Sequence, residues 1–311
     1  MNNPNAAWRP ERPIEIIAGT PPGGGLDRTA RALAMAIESL AVVEVPVTVI
    51  NIPGDGSRKM WEYVDRRAGD AHVLAVSSPN LTTDNLTGQT AFDHNKYTPL
   101  AILHTEYIAF IARADSPFGD GRQLMQRLGR DAGSVTIALA TSTGNPNHIA
   151  LARITKHAGG NARALKVTAF DSARHAVAAV VTGDCAIGAV SAASAVPELT
   201  DGTLRALAVS APHRLAPPFA TAPTWLEQGA DCVIGAWRGI NGTPGLTAAQ
   251  IAFWDPLLAT ATASRVWQAA IAQHHWSAMY VGCTELAAYL PRERAEMSAM
   301  LGELGLLPQS A

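Results

Sequence analysis

Short apolar runs alternate with longer amphipathic segments in the first part of the chain. The runs at 13–18, 45–50 and 72–77 are short enough for strands, and the segment 26–40 repeats its apolar residues at helical spacing. Strands that alternate with helices in this way are typical of a parallel sheet, because each crossover must return the chain to the same edge of the sheet. The pattern therefore predicts an α/β fold.

The same pattern begins again after residue 117. The apolar run 135–140 is uninterrupted, as in a parallel strand buried on both faces. A helical segment from Asn147, a strand at 165–169 and a helix at 173–181 follow it. The chain has 311 residues, enough for about two domains of ~100–200 residues each. We therefore expect two α/β halves.

The composition excludes several classes of protein. Hydrophobic residues make up 48% of the chain and charged residues 16%, which is too apolar for a disordered protein. The net charge of -2 provides no basic surface for nucleic acid, and no run approaches the ~18 apolar residues of a membrane span. Three widely separated cysteines favour neither a disulfide framework nor a zinc site. We expect no nucleic-acid partner, no membrane insertion, no metal and no cofactor.

A glycine-rich loop lies between the first predicted strand and the first predicted helix. Ligands of open α/β sheets bind beyond the carboxyl ends of the strands, where such loops lie. Glycines let main-chain amides approach a ligand, and the positive end of the following helix favours an anion. The alternative is an ordinary Pro/Gly turn in which Asp27 only starts the helix. The candidate ligand-binding residues here are Thr20, Pro22, Gly23, Gly24, Gly25 and Asp27, with Ser77 at the end of the third predicted strand.

A small polar loop has the same position in the second half. Its candidate ligand-binding residues are Ser142, Thr143, Gly144, Asn145 and His148. A capped helix start, with Asn145 as N-cap and Pro146 as the first helical residue, explains the same residues and is compatible with anion binding. A third polar cluster contains Phe170 and Asp171. It either adds ligand contacts or marks a helix start that Asp171 caps.

Catalytic motifs are scarce. The chain has no GxSxG elbow and no HExxH motif, and its serines and histidines show no spacing that predicts a triad. A binding protein is therefore favoured. An enzyme on the same scaffold, acting on a small carboxylate or ester, remains the alternative because a fold does not determine a function. The effector domain of a regulator is less favoured, since no basic recognition helix precedes it.

Several motifs in register resemble those of one family. They are PPGGGLD at 21–27, VINIPG at 49–54, STG at 142–144 with His148, GTLRALAV at 202–209, APTWLEQG at 222–229 and WRG at 237–239. From about Arg12 to Leu307 the chain resembles the Bug solute receptors, the extracytoplasmic binding proteins of tripartite tricarboxylate transporters.

The resemblance implies a type II periplasmic-binding-protein fold, an α/β fold of two doubly wound lobes joined by two crossover strands. Lobe 1 would comprise 1–112 and 238–311, and lobe 2 would comprise 113–237. The implied function is capture of a small organic carboxylate in the interlobe cleft, held mainly by backbone amides of the two loops. Asp27 would fix the first loop more than touch the anion. The implied partner is a membrane permease of the tripartite tricarboxylate type or a sensor kinase.

The chain departs from the family pattern at several positions. Thr20 replaces a bulky aromatic residue, which leaves room for a longer acid. Ala186 stands where the family has an acidic residue, which disfavours an amino-acid ligand. The first residues lack the basic start and apolar run of a signal peptide. The resemblance implies a periplasmic location after processing, and a cytoplasmic location stays open.

Overall fold

The structure, a computed structural model, describes residues 8–308. Its strands are β1 (Ile14–Ala18), β2 (Val47–Asn51), β3 (Val73–Ser77), β4 (Thr98–Arg113), β5 (Thr136–Ala140), β6 (Lys166–Phe170), β7 (Ile187–Ser191), β8 (Leu204–Val209), β9 (Gly235–Gly242) and β10 (Ser277–Gly282). Its α-helices are α1 (Gly25–Ser39), α2 (Arg58–Asp65), α3 (Asn80–Leu86), α4 (Gly121–Arg130), α5 (Pro146–His157), α6 (Ala173–Val181), α7 (Val196–Thr200), α8 (Ala248–Ala263), α9 (Arg265–Gln273) and α10 (Cys283–Leu304). The predicted alternation of strands and helices is confirmed.

The chain folds into two compact units. Within residues 8–308, the first unit comprises 8–85, Gln89–His104 and Trp237–Ala295. The second comprises Leu86–Gly88, Thr105–Ala236 and 296–308.

These units differ from the predicted lobes at two places. The chain changes unit within β4, after His104, and not after residue 112. Residues 296–308 belong to the second unit, although the prediction placed 238–311 in lobe 1. The reason lies in α10, whose Met297 and Leu301 pack in an apolar cluster with Ile149 of α5.

The sheet of the first unit has the strand order β2-β1-β3-β9-β4. Strand β1 pairs in parallel with β2 and β3, whereas β9 runs antiparallel to β3. Ile14, Ile16 and Ile17 are fully buried, which explains why β1 is an apolar run. Because β1 and β3 are parallel neighbours, the loop after β1 and the end of β3 lie at the same edge of this sheet.

The sheet of the second unit repeats this order, as β6-β5-β7-β4, with β8 pairing on β4. Strand β5 is parallel to β6 and β7, and β4 is antiparallel to β7. The antiparallel strand is β9 in the first unit and β4 in the second. Each of these two strands also contains residues that belong to the other unit. The prediction of two similar α/β halves is confirmed by this shared topology.

Strand β5 shows why its sequence is uninterruptedly apolar. Ile137 and Leu139 pack in a cluster with residues of α4 and α5 such as Leu124 and Leu151. Ala138 packs on the opposite face, with Val177 and others of α6. A strand covered on both faces has no position that favours a polar side chain.

Candidate functional site

The loop after β1 contains a tight turn. The amide of Gly24 donates to the carbonyl of Pro21 at 3.0 Å. Gly23 has φ of 81°, and Pro22 precedes it. Proline followed by a residue of positive φ is typical of a type II turn, and the positive φ favours glycine at residue 23. The turn delivers the chain to Gly24, the N-cap of α1.

Asp27 is the anchor of this turn. Its side chain, 1% exposed, accepts hydrogen bonds from the amide of Gly23 at 2.7 Å, from Nδ2 of Asn51 at 2.9 Å and from Nε of Arg31 at 3.0 Å. Burial by itself would raise the pKa of Asp27, but the bonds from Arg31, Gly23 and Asn51 outweigh it and lower the pKa. The carboxylate is therefore fully occupied inside the loop, as expected of a residue that fixes it.

Donors for an anion remain at the start of α1. The amides of Gly25 and Leu26 donate to no acceptor among the described residues, as is common in the first turn of a helix. A Cβ built on Gly25 would lie 3.5 Å from Nη2 of Arg238, so this guanidinium lies beside the helix start. Two amides, the positive end of a helix dipole and an arginine form a favourable place for a carboxylate.

Arg238 was not among the predicted site residues. It lies on β9, where its Nη1 donates to the carbonyl of Trp237 at 3.1 Å. Its approach to Gly25 joins residues more than 200 positions apart, which no local pattern reveals. The only signal was its place in the WRG motif.

Thr20 and Ser77 form hydrogen bonds with other residues of the chain. Thr20 accepts from the amide of Asp27 through Oγ1 at 3.3 Å, and its carbonyl accepts from Asn51 at 2.8 Å. Ser77 is 2% exposed and donates to Oδ1 of Asn241 at 3.3 Å. Asn241 in turn lies 3.2 Å from Nδ1 of His94, a buried ring whose pKa is lowered to about 4 by desolvation. A ligand role for Ser77 and Thr20 stays a prediction.

The loop after β5 starts α5 as the sequence indicates. Asn145 is the N-cap, and its side chain accepts from the amide of His148 at 3.1 Å. Its Nδ2 donates to the carbonyl of Ala140 and to Oγ1 of Thr141. Thr141 has φ of 65°, a conformation that is rare for a β-branched residue and typical of strained functional loops.

His148 is an acceptor in this loop. Its Nδ1 accepts from the amide of Gly144 at 3.0 Å, and burial lowers its pKa to about 4. The ring is therefore neutral at physiological pH and supplies no positive charge. Of the loop amides, that of Gly144 is engaged by His148 and that of Ser142 by Ala140. The amide of Thr143 donates to no acceptor within residues 8–308.

The third predicted cluster lies against the second loop. The carbonyl of Phe170, at the end of β6, accepts from the amide of Thr141 at 2.7 Å. Asp171 is exposed, and it does not cap α6. The N-cap is Ser172, which accepts from the amide of His175 at 3.2 Å. The expectation that Asp171 caps this helix is therefore wrong, because the helix starts one residue later.

Two features are absent from the described part of the chain. None of the helices within residues 8–308 has the length and apolarity needed to cross a membrane. No group of three or more His, Cys, Asp or Glu side chains there is arranged to hold a metal ion.

Residues 30–273 match the sequence model of the tripartite tricarboxylate transporter family receptor, TctC. The chain belongs to this family. The predicted family is thereby confirmed. Because the family is one of receptors, it supports a solute-binding protein and not an enzyme.

Individual proteins agree with this assignment. The chain is 26% identical over 151 residues to the UPF0065 protein in the tcbD-tcbE intergenic region of Pseudomonas sp. (strain P51). That match spans 48% of this chain and 44% of the relative, less than half the length of either.

Solved structures extend the similarity to nearly the whole chain. A TctC solute-binding protein from Polaromonas is 25% identical, with a TM-score of 0.72 over 95% of this chain and 99% of that one. The structure of R. palustris Rpa4515 with adipate is 16% identical, with a TM-score of 0.85 over 96% of this chain and 99% of that one. The predicted periplasmic-binding-protein fold of type II is confirmed.

Proposed function

We propose that this chain is a receptor for a small organic carboxylate and that its first loop binds a carboxylate group. The observation that supports this most directly is the start of α1. The amides of Gly25 and Leu26 have no acceptor among the described residues, and Arg238 lies beside them. Asp27, the acidic residue of this loop, is neutralised by Arg31 and by hydrogen bonds, so it does not repel an anion.

The second loop would supply neutral donors for a polar ligand group. Thr143 offers an amide and a hydroxyl at an exposed position, and Asn145 fixes the loop. His148 is neutral, which makes the loop suitable for polar contacts and not for a full charge pairing. Phe170 would bound the ligand at the end of β6.

The proposed partner is a membrane permease of the tripartite tricarboxylate type, with a sensor kinase as the alternative, and the proposed location is the periplasm. Membership of the receptor family supports both. The similar fold of the protein solved with adipate makes a dicarboxylate a reasonable first probe.

The test uses succinate, malate and adipate in thermal-shift and calorimetric titrations. A ligand that binds only the folded state raises the melting temperature with the logarithm of its concentration. In Gly25→Ala the added methyl has ordinary contact with Arg238 at 3.5 Å, so the protein should fold. The methyl would occupy the place of the carboxylate, and we expect affinity to fall by about tenfold or more. Arg238→Met should weaken binding by a similar factor, since a bond to a charged group contributes about 1.5–3 kcal/mol.

Gly302→Ala is the matched control. It adds a methyl in α10, 3.4 Å from Leu307, and should leave affinity unchanged. Full affinity in Gly25→Ala and Arg238→Met would refute the assignment of the first loop. Turnover of an ester or amide by the purified chain, without binding of any acid, would favour the enzyme alternative.

A further inference from the structure

A cavity of about 280 Å³ lies within the second unit, between α5 and the last turns of α10. Ile149, Ala152, Arg153 and Lys156 line it from α5. Their spacing of three and four residues places them on one face of the helix. This face is separate from the N-terminal end of α5, where Asn145 and His148 hold the second loop.

The floor of the cavity is apolar and its rim is charged. Ile149, Ala152, Ala162 and Leu304 are at most 7% exposed, whereas Arg153 is exposed. Lys156 joins Glu303 across the two helices at 2.6 Å. An apolar pocket with a few convergent polar groups is the usual form of a small-molecule site.

Arg153 makes this cavity favourable for an anionic ligand. Its guanidinium has no hydrogen-bond or ion-pair partner within residues 8–308, while the charge of Lys156 is balanced by Glu303. Arg163 adds a cation nearby, where its Nε donates to the carbonyl of Glu303 at 3.3 Å. The surplus charge is therefore positive, and it stands over an apolar floor.

We propose that this cavity is an accessory site for a small amphipathic monocarboxylate. The alkyl part would lie against Ile149, Ala152 and Leu304, and the carboxylate would pair with Arg153. This site is separate from the proposed receptor site, and the inference does not depend on it.

Hexanoate is the probe, and acetate and hexanol are its matched controls. In calorimetric titrations we expect hexanoate to bind more tightly than either. Affinity should rise by about fourfold for each methylene buried between acetate and hexanoate. Arg153→Met keeps an unbranched apolar stem but removes the charge, and it should weaken hexanoate by about fivefold. Arg130→Met, on the exposed end of α4, should change nothing.

A second variant locates the site. Ala152→Leu fills the cavity floor and should abolish hexanoate binding, while Gly25→Ala should leave it intact. Two results would overturn the accessory site and leave the receptor proposal standing. One is hexanoate binding that persists in Ala152→Leu but is lost in Gly25→Ala. The other is binding that does not depend on the chain length of the acid. Hexanoate binding that needs Arg153, in a protein whose first loop binds no acid, would support the accessory site and refute the receptor proposal.

Discussion

Replacing Asp27 tests how the first loop is held. In Asp27→Ala the amide of Gly23 and the side chain of Asn51 lose their common acceptor. Hydrogen bonds to a charged group contribute about 1.5–3 kcal/mol each, so these two bonds together contribute about 3 kcal/mol or more. The Arg31 side chain is 53% exposed, and its ion pair adds at most about 1 kcal/mol. We expect the free energy of unfolding to fall by at least about 3 kcal/mol.

The pH dependence of this effect has a defined sign. The pKa of Asp27 is lower in the folded state, so its stabilisation is present above the unfolded pKa of about 3.9. It is lost as the pH falls through the lower folded pKa. The stability difference between the wild type and Asp27→Asn, measured by urea unfolding, should therefore shrink in acid below about pH 4.

A double-mutant cycle and a control complete the test. Asp27→Ala and Asn51→Ala should show a coupling energy of about 1–2 kcal/mol, because the two side chains are in direct contact. Asp115→Ala, which removes an exposed partner of Arg113, should have little effect. A loss below about 1 kcal/mol in Asp27→Ala, together with unchanged carboxylate affinity, would contradict the anchoring role.

Two further predictions concern the second unit. The folded pKa of His148 is lowered to about 4. His148 should therefore lower the free energy of unfolding by about 1.4 kcal/mol for each unit by which the pH falls from about 6.5 to about 4. His148→Gln should reduce that slope in chemical denaturation, and an unchanged slope would contradict a neutral buried ring. Thr141→Asn should raise the free energy of unfolding by about 1 kcal/mol, since asparagine adopts a φ of 65° more readily than threonine does. Thr141→Val removes the hydroxyl that accepts from Asn145 but keeps the branched shape, so it is the control. A melting temperature of Thr141→Asn below that of Thr141→Val would contradict the strain.

The repeated α/β halves could be predicted because their signal is local. Runs such as 135–140 are buried on both faces of a parallel sheet, and this burial favours an apolar residue at nearly every position of the run. The point where the chain changes unit could not be read in the same way. Strand β4 is one continuous extended segment, Thr98–Arg113, and its apolar residues are equally suited to both units. The second half of α10 likewise has no composition that shows which unit it packs on.

In the candidate site, too, local features could be predicted from the sequence and long-range contacts could not. The Asn145 cap and the Pro146 start depend on neighbouring residues, and the sequence predicted both. The hydrogen bond from the Gly144 amide to His148 depends on how the His148 side chain folds back over its own loop. Residue spacing in the sequence does not determine this. Arg238 reaches Gly25 only after β9 has been inserted beside β3, so it could be found only in the folded chain.

The charges of the two loops lead to a final expectation about the ligand. In the first loop the Asp27 charge is balanced by Arg31, and the Arg238 guanidinium lies beside two amides that have no acceptor among residues 8–308. In the second loop His148 is neutral, and its donors are amides and hydroxyls. The positive end of α1 and the guanidinium beside it therefore favour a negative charge at this position. We infer that the ligand needs one carboxylate group at the start of α1, whereas the second loop favours no charged group.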